Sequence, residues 1–254
     1  MQAGFYTAAA GLLSQQRTLN TISNNLANVQ TPGYKTERVL TTTFEYEYMN
    51  RFEKGCKTNI GFTSPLLQVD DVITDFSESS LEETGFPYDM GLVGEGFFNI
   101  KGEEHDFLTR NGNFNIDEEG YLILPDVGRV QGNIANENGN TTQGDIFVGG
   151  ADFTVNDQGM IWDNTGEYVG TFHISQPEDI NEMQKYSNGL FVDENVRDVA
   201  VPTIYQGHLE RSNIDMNSEY SRVLETQNAL VACSTALKLI DQINSRTATL
   251  CSIV

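Results

Sequence analysis

Basic residues are scarce in this chain. Its 254 residues hold 15 Lys and Arg against 36 Asp and Glu, a formal net charge of -21. A field of that sign repels a phosphate backbone and argues against nucleic-acid binding. Cysteine is scarce too: Cys56, Cys233 and Cys251 lie too far apart for a disulfide framework or a CxxC metal site. The three histidines, His105, His173 and His208, show no HExxH-type spacing. Long apolar runs are missing. The longest small-apolar stretch, Ala8 to Leu13, is far too short to span a bilayer, and the opening MQAGFYTAAAGLLSQQR has neither the basic start nor the apolar core of a secretory signal. A chain without membrane insertion, exported if at all without a cleavable signal, is the expectation.

The charge that is present is unevenly placed. Residues 1–36 carry Arg17 and Lys35 and no acid, and residues 212–254 carry three bases and four acids, so the two ends together net +1. Residues 37–211 hold the remaining 10 bases and 32 acids, a net of -22. An acidic body therefore sits between two nearly uncharged ends.

Both ends have helical periodicity. Phe5, Ala8, Leu12, Leu19, Ile22, Leu26 and Val29 recur at steps of three and four, a heptad seam interrupted at Gln15. Asn20, Ser23, Asn24, Asn25 and Asn28 stand where a solvated helix carries Glu and Lys, and such residues compete for the backbone, so this helix depends on packing. It should stop at Thr31-Pro32-Gly33-Tyr34. At the other end Val223, Thr226, Leu230, Cys233, Leu237, Ile240, Asn244, Thr247, Cys251 and Val254 repeat the spacing, after N-cap candidates at Ser212 to Asp215. A second row, Ala229, Ala232, Ala236, Leu239, Ile243 and Leu250, widens the apolar face enough for more than one neighbour. An ordinary core helix has the same periodicity. The uncharged faces point instead to helices enclosed by other helices.

Between the ends, strand-like runs such as Gly96 to Lys101, Asp106 to Thr109, Asn113 to Ile116 and Tyr121 to Leu124 alternate with period two. Asn111-Gly112, Glu119-Gly120, Asn138-Gly139, Gln158-Gly159 and Thr165-Gly166 read as hairpin turns. The expected fold is a mainly β central domain flanked by N- and C-terminal α-helices: residues 1–36 the first helix, 37–85 an extended or partly stranded connector with aromatics at Phe44, Tyr46 and Tyr48, 86–205 a β-rich body, and 206–254 the C-terminal segment and helix.

No catalytic constellation assembles. Asn115, Asp117, Glu119, Gly120 and Asp126 have calcium-loop spacing, but strand-like flanks replace the helices of an EF-hand and favour a hairpin. Gly94-Glu95-Gly96 lacks the third Gly and the Lys of a phosphate loop, and the paired acids Glu103-Glu104 and Glu118-Glu119 read as solvated surface. A non-enzyme without cofactor or metal is expected.

Three segments carry a family resemblance. Ile22-Ser23-Asn24-Asn25-Leu26-Ala27-Asn28-Val29-Gln30-Thr31-Pro32-Gly33-Tyr34-Lys35 closely resembles the N-terminal signature of flagellar rod and hook proteins. Asp89 to Ile100, Phe107 to Phe114 and Glu119 to Leu122 resemble the family's central β signature, and Gly207 to Asp215 with Glu225-Thr226-Gln227 resembles the lead into its terminal helix. Leu230, Cys233 and Asn228 depart from the aromatic, Asn and Arg common there, and Thr84-Gly85-Phe86-Pro87 replaces a more usual Thr-Gly-Asn.

The resemblance to the flagellar basal-body rod protein family, distal or proximal rod subunit, implies a structural axial protein. Its terminal helices would pair as a coiled coil lining a tube, the β domain would face outward, and the subunit would polymerise to transmit torque for motility. Implied partners are further copies, other flagellar rod and hook subunits and the flagellar type III export apparatus; the implied location is the basal body, in the periplasm or cell wall. Phe5, Leu12, Leu19, Ile22, Asn24, Asn25, Leu26, Asn28, Val29, Leu230, Leu237 and Ile240 are the expected assembly residues, with Pro32, Gly33 and Tyr34 ending the first helix. The alternatives are a hook subunit of the same axial family or a secreted β-rich module binding cell-wall glycan.

Overall fold

A computed structural model describes residues 2–43, 47–53, 56–63, 67–102, 105–135, 141–150, 152–180, 183–187, 189–192, 195–198 and 203–251. Phe44, Tyr46, Glu103, Glu104, Asn138, Gly139 and Val254 lie outside the described residues. The described chain is mainly β with one helix at each end, α1 at Gln2–Ala27 and α2 at Met216–Cys251. It divides into two compact units, one of residues 1–27, 37–75 and 215–254, the other of residues 28–36 and 76–214.

In the helical unit, α1 and α2 pack against each other. Asp215 starts α2 as its N-cap: its carboxylate accepts from the Asn217 amide at 3.0 Å and its carbonyl from the Glu219 amide at 3.0 Å. The segment expected as a connector supplies paired strands to this unit. Glu37–Thr43 pairs antiparallel with Leu67–Thr74, and Glu47–Glu53 with Cys56–Thr63. The first of these pairs packs on α1.

Asn25, fully buried at 0% exposure, joins α1 to the start of that pair. Its Nδ2 donates to the Glu37 carbonyl at 2.9 Å and its Oδ1 accepts from the Glu37 amide at 3.1 Å. An amide side chain here thus mimics a neighbouring strand, which is why Asn is tolerated in a helix it intrinsically weakens.

The second unit is a β body with an antiparallel sheet path that runs Thr154–Val155, Met160–Trp162, Tyr168–Phe172, Gly128–Ala135, Phe97–Lys101, Asp106–Thr109, Leu190–Val192, Gln184–Ser187. Its central strand departs from the expected alternation: Phe97, Phe98, Asn99 and Ile100 are all buried. Phe98 and Ile100 enter the main core with Phe114, Leu122, Val130 and Phe172, while Phe97 joins Leu108 and Phe191 in a second cluster. Both faces of this strand are covered, so period two marks two apolar faces and not a wet one.

The glycines of the expected hairpins divide into two kinds. Gly120, Gly159 and Gly166 have positive φ and make tight turns. Asn111-Gly112 is not a hairpin turn: the strands on either side, Asp106–Thr109 and Asn115–Ile116, pair elsewhere. Gly112 is there for proximity. A Cβ on it would lie 1.8 Å from the Met90 carbonyl oxygen, and the Met90 amide donates to the Gly112 carbonyl at 3.0 Å.

Candidate assembly surface

The α1–α2 contact is antiparallel. A methyl placed on Gly4 would reach Ile240 Cδ1 at 4.0 Å and one on Gly11 would reach Cys233 Sγ at 3.5 Å, so a seven-residue step forward on α1 is a seven-residue step back on α2. That matched step is the heptad spacing of the sequence. Ile22 is buried and Leu12, Leu19 and Leu26 are half-buried, as are Leu230, Leu237 and Ile240 on α2. Phe5 is exposed.

The polar residues of the expected assembly set serve in part the subunit itself. Asn25 is held by Glu37. Asn28 is buried in the turn, where its carbonyl accepts from the Thr31 amide at 3.1 Å and its Oδ1 from the Thr31 hydroxyl at 3.2 Å. Asn24 is exposed and Val29 half-buried. The helix ends at Ala27, and the turn that follows includes Pro32 and Gly33, the latter at φ 68°. Tyr34 is buried beneath Lys185, whose ammonium lies 4.4 Å from the ring centroid and donates to the Tyr34 hydroxyl at 3.2 Å.

Apolar residues also point away from the helix pair. On α2, Leu224 is 63% and Val231 62% exposed, with Tyr220, Leu239 and Ile243 also open. At about 100° per residue, Tyr220, Leu224 and Val231 fall within one narrow stripe, about 130° round the helix from the Leu230, Cys233 and Leu237 face. Leu13, Phe5 and Tyr6 make a comparable exposed set on α1. Residues 241–249 are all exposed. The antiparallel register explains this: with Gly4 beside Ile240, the last turns of α2 run past the beginning of α1. Leu239 and Ile243 stood out in the sequence as a second row, whereas Leu224, Val231 and Leu13 did not. The seven-residue step from Leu224 to Val231 was the available signal.

The stretch with calcium-loop spacing folds as a turn. Asp117 to Gly120 is a hairpin turn, closed by the Gly120 amide donating to the Asp117 carbonyl at 2.9 Å. The Asp117 and Glu119 carboxylates accept from Arg129, at 3.4 and 2.6 Å, and the guanidinium lies 4.1 Å from the Tyr121 ring centroid. Attraction to Glu119 raises the Arg129 pKa, its hydrogen bond to that carboxylate being the main cause. Among the described residues no three His, Cys, Asp or Glu side chains gather as a metal set. His173 Nε2 donates to Asp198 at 2.8 Å while its Nδ1 accepts from Gln143 at 3.1 Å. No described helix is long and apolar enough to cross a membrane.

Comparison with known proteins matches the helix and turn first. Residues 5–35 match the model described as "Flagella basal body rod protein", and residues 91–151, in the β unit, match "Flagellar hook protein FlgE/F/G D1 domain". The flagellar basal-body rod protein FlgF of Caulobacter vibrioides is 26% identical over 90% of this chain and 89% of its own length. The rod protein FlgG of Buchnera aphidicola subsp. Schizaphis graminum is 27% identical over 95% and 97%. The flagellar hook protein FlgE of Treponema pallidum is 30% identical, over 54% of this chain and 31% of its own length.

Proposed function

We propose, for a chain that belongs to the flagellar basal-body rod family, that its helices polymerise with those of neighbouring subunits into the tubular axial structure that carries torque to hook and filament. The chain is a flagellar rod or hook axial structural protein. The observation that carries polymerisation is the second apolar face of α2. A helix already packed on one side by α1 leaves Leu224 and Val231 open on another.

Covering each such side chain is worth ~1.5–3 kcal/mol, and a repeating helical contact multiplies this along the assembly. The overhanging end of α2 adds surface that α1 cannot cover. In this reading Leu12, Leu19, Ile22, Leu26, Leu230, Leu237 and Ile240 form the coiled coil within the subunit, and Leu224, Val231 and Leu13 face its neighbours. A rod role is favoured over a hook role because the rod relatives align along nearly their whole length, whereas the hook relative extends well beyond the match. Type III export and an extracytoplasmic basal-body location follow as parts of the same proposal.

The test is the double variant Leu224→Asp with Val231→Asp, expressed in a strain lacking the wild-type copy. The purified monomer should keep wild-type helicity, since both positions are exposed, while basal bodies should lack the variant and cells should not swim. Normal incorporation of the folded variant would contradict the proposal.

A further inference from the structure

Lys35, Arg110 and Glu210 come from three distant parts of the chain and meet in one buried cluster of the β unit. Lys35 Nζ lies 2.6 Å from Glu210 Oε1 and Arg110 NH1 lies 3.5 Å from Glu210 Oε2, with side-chain exposures of 1%, 6% and 2% for the Lys, Arg and Glu. Lys35 also donates to the Ser77 carbonyl at 2.9 Å, and Arg110 NH2 to the Gly94 carbonyl at 2.6 Å. Two buried cations therefore share one carboxylate, a formal excess of one positive charge. Arg110 Nε is buried without a hydrogen-bond partner. Burial lowers the Arg110 pKa, opposed by the field of Glu210 and, beyond it, of Glu78 and Glu95.

Backbone and side-chain hydrogen bonds lie around the charges. The Gly33 amide donates to the Glu210 carbonyl at 2.8 Å, the Arg211 amide to the Ser80 carbonyl at 3.1 Å, and the Thr36 amide and hydroxyl to Asn213 Oδ1 at 2.8 and 2.6 Å. Asn213 Nδ2 donates to Ser77 Oγ at 3.1 Å. The chain passes between the two units after residues 27, 36, 75 and 214. The last three of these passages lie within two residues of Thr36, Ser77 and Asn213.

We propose that Lys35, Arg110 and Glu210 are positioning residues of an ionic clamp that fixes three of the four chain passages in one register. The clamp carries surplus positive charge and Glu210 is the carboxylate in contact with both cations, with Glu78 and Glu95 acting only from farther off, so that without Glu210 it opens as a local unit ahead of the β core. This goes beyond the assembly reading and does not rest on it.

The charge count gives a test that mere loss of hydrogen bonds does not mimic. Glu210→Gln leaves two buried unbalanced cations, Lys35→Met leaves the balanced Arg110–Glu210 pair, and the double variant leaves one cation. Amide hydrogen exchange on the full-length monomer is followed at Gly33, Thr36, Arg211 and Asn213 as clamp reporters and at Leu122, Ile146 and His173 as core reporters. Glu210→Gln should speed the clamp amides by ~100-fold or more with core amides little changed. Lys35→Met should speed them far less, and adding it to Glu210→Gln should restore part of the protection. Equal damage from Lys35→Met and Glu210→Gln, additive damage in the double variant, or clamp and core amides accelerating together would overturn the proposal. Failure of Glu210→Gln to fold would overturn local opening, because the core would be lost with the clamp, and failure of Lys35→Met to fold would refute the charge count.

Discussion

Gly33 lies where the first helix signature turns into the β unit, and replacing it with Ala tests how that turn is held. Its φ is +68°, and an added Cβ would sit 2.3 Å from the Arg110 carbonyl carbon, 2.4 Å from its oxygen and 2.6 Å from the Asn111 amide nitrogen. The left-handed conformation costs an L-residue ~1–2 kcal/mol. The overlap is with backbone, so no side-chain rotation relieves it. Relieving it requires a shift of the backbone at residues 110 and 111, an overpacking cost of ~1–3 kcal/mol. The combined loss, roughly 2–5 kcal/mol, is a large part of the ~5–15 kcal/mol stability of a typical domain. Gly85 provides the control. Its φ is +72° with nothing within 4 Å of the added Cβ, so Gly85→Ala incurs the conformational cost alone. Trp162, the single tryptophan, lies in the β unit and reports its unfolding by fluorescence in urea. With a urea slope of ~2 kcal/mol/M, Gly33→Ala should lower the midpoint by ~1–2.5 M or prevent folding, and Gly85→Ala by less than ~1 M. Equal midpoints for the two variants would refute the steric argument.

Other sites follow the same reasoning. Asn25→Ala strips partners from the Glu37 amide and carbonyl and should cost ~2–4 kcal/mol, read as a lower helix melting temperature by circular dichroism; Asn25→Asp should rescue little, because it returns an acceptor but sets a charge against the carbonyl. Asp215→Ala should cost about 1 kcal/mol through loss of the α2 cap, with Asp215→Ser close to wild type in the same melt. Phe98→Ala, in the main core, should cost ~3–5 kcal/mol by Trp162 fluorescence in urea, whereas Leu224→Asp should change helical stability by less than ~0.5 kcal/mol.

Local features were the most legible in the sequence. The three-four spacing located both helices, Asp215 was among the cap candidates, and Glu119-Gly120 gave a turn, because each depends on residues within a turn or two of one another. Features set by distant partners were hidden. Nothing near Asn25 says that its amide closes the backbone of Glu37, twelve residues on. Lys35 finds Glu210 across a separation of 175 residues. The period-two alternation at Phe97–Lys101 does not reveal what covers the strand's second face, here Phe76 and Phe191 packed beside Phe97. Gly112 looked like a turn residue because sequence cannot separate a glycine needed for φ from one needed for proximity to Met90. For the candidate surface the heptad row was visible, but which apolar residues α1 covers and which it leaves open depended on the antiparallel register.

The most direct measurement is photo-crosslinking from position 231 of α2, with a photoreactive residue in place of Val231, in purified basal bodies and in the monomer. Assembly through the open face of α2 predicts covalent links to a second axial subunit in basal bodies and none in the dilute monomer. Incorporation into basal bodies without any intersubunit product at this position, with efficient crosslinking from a β-unit surface position such as Tyr205, would contradict it.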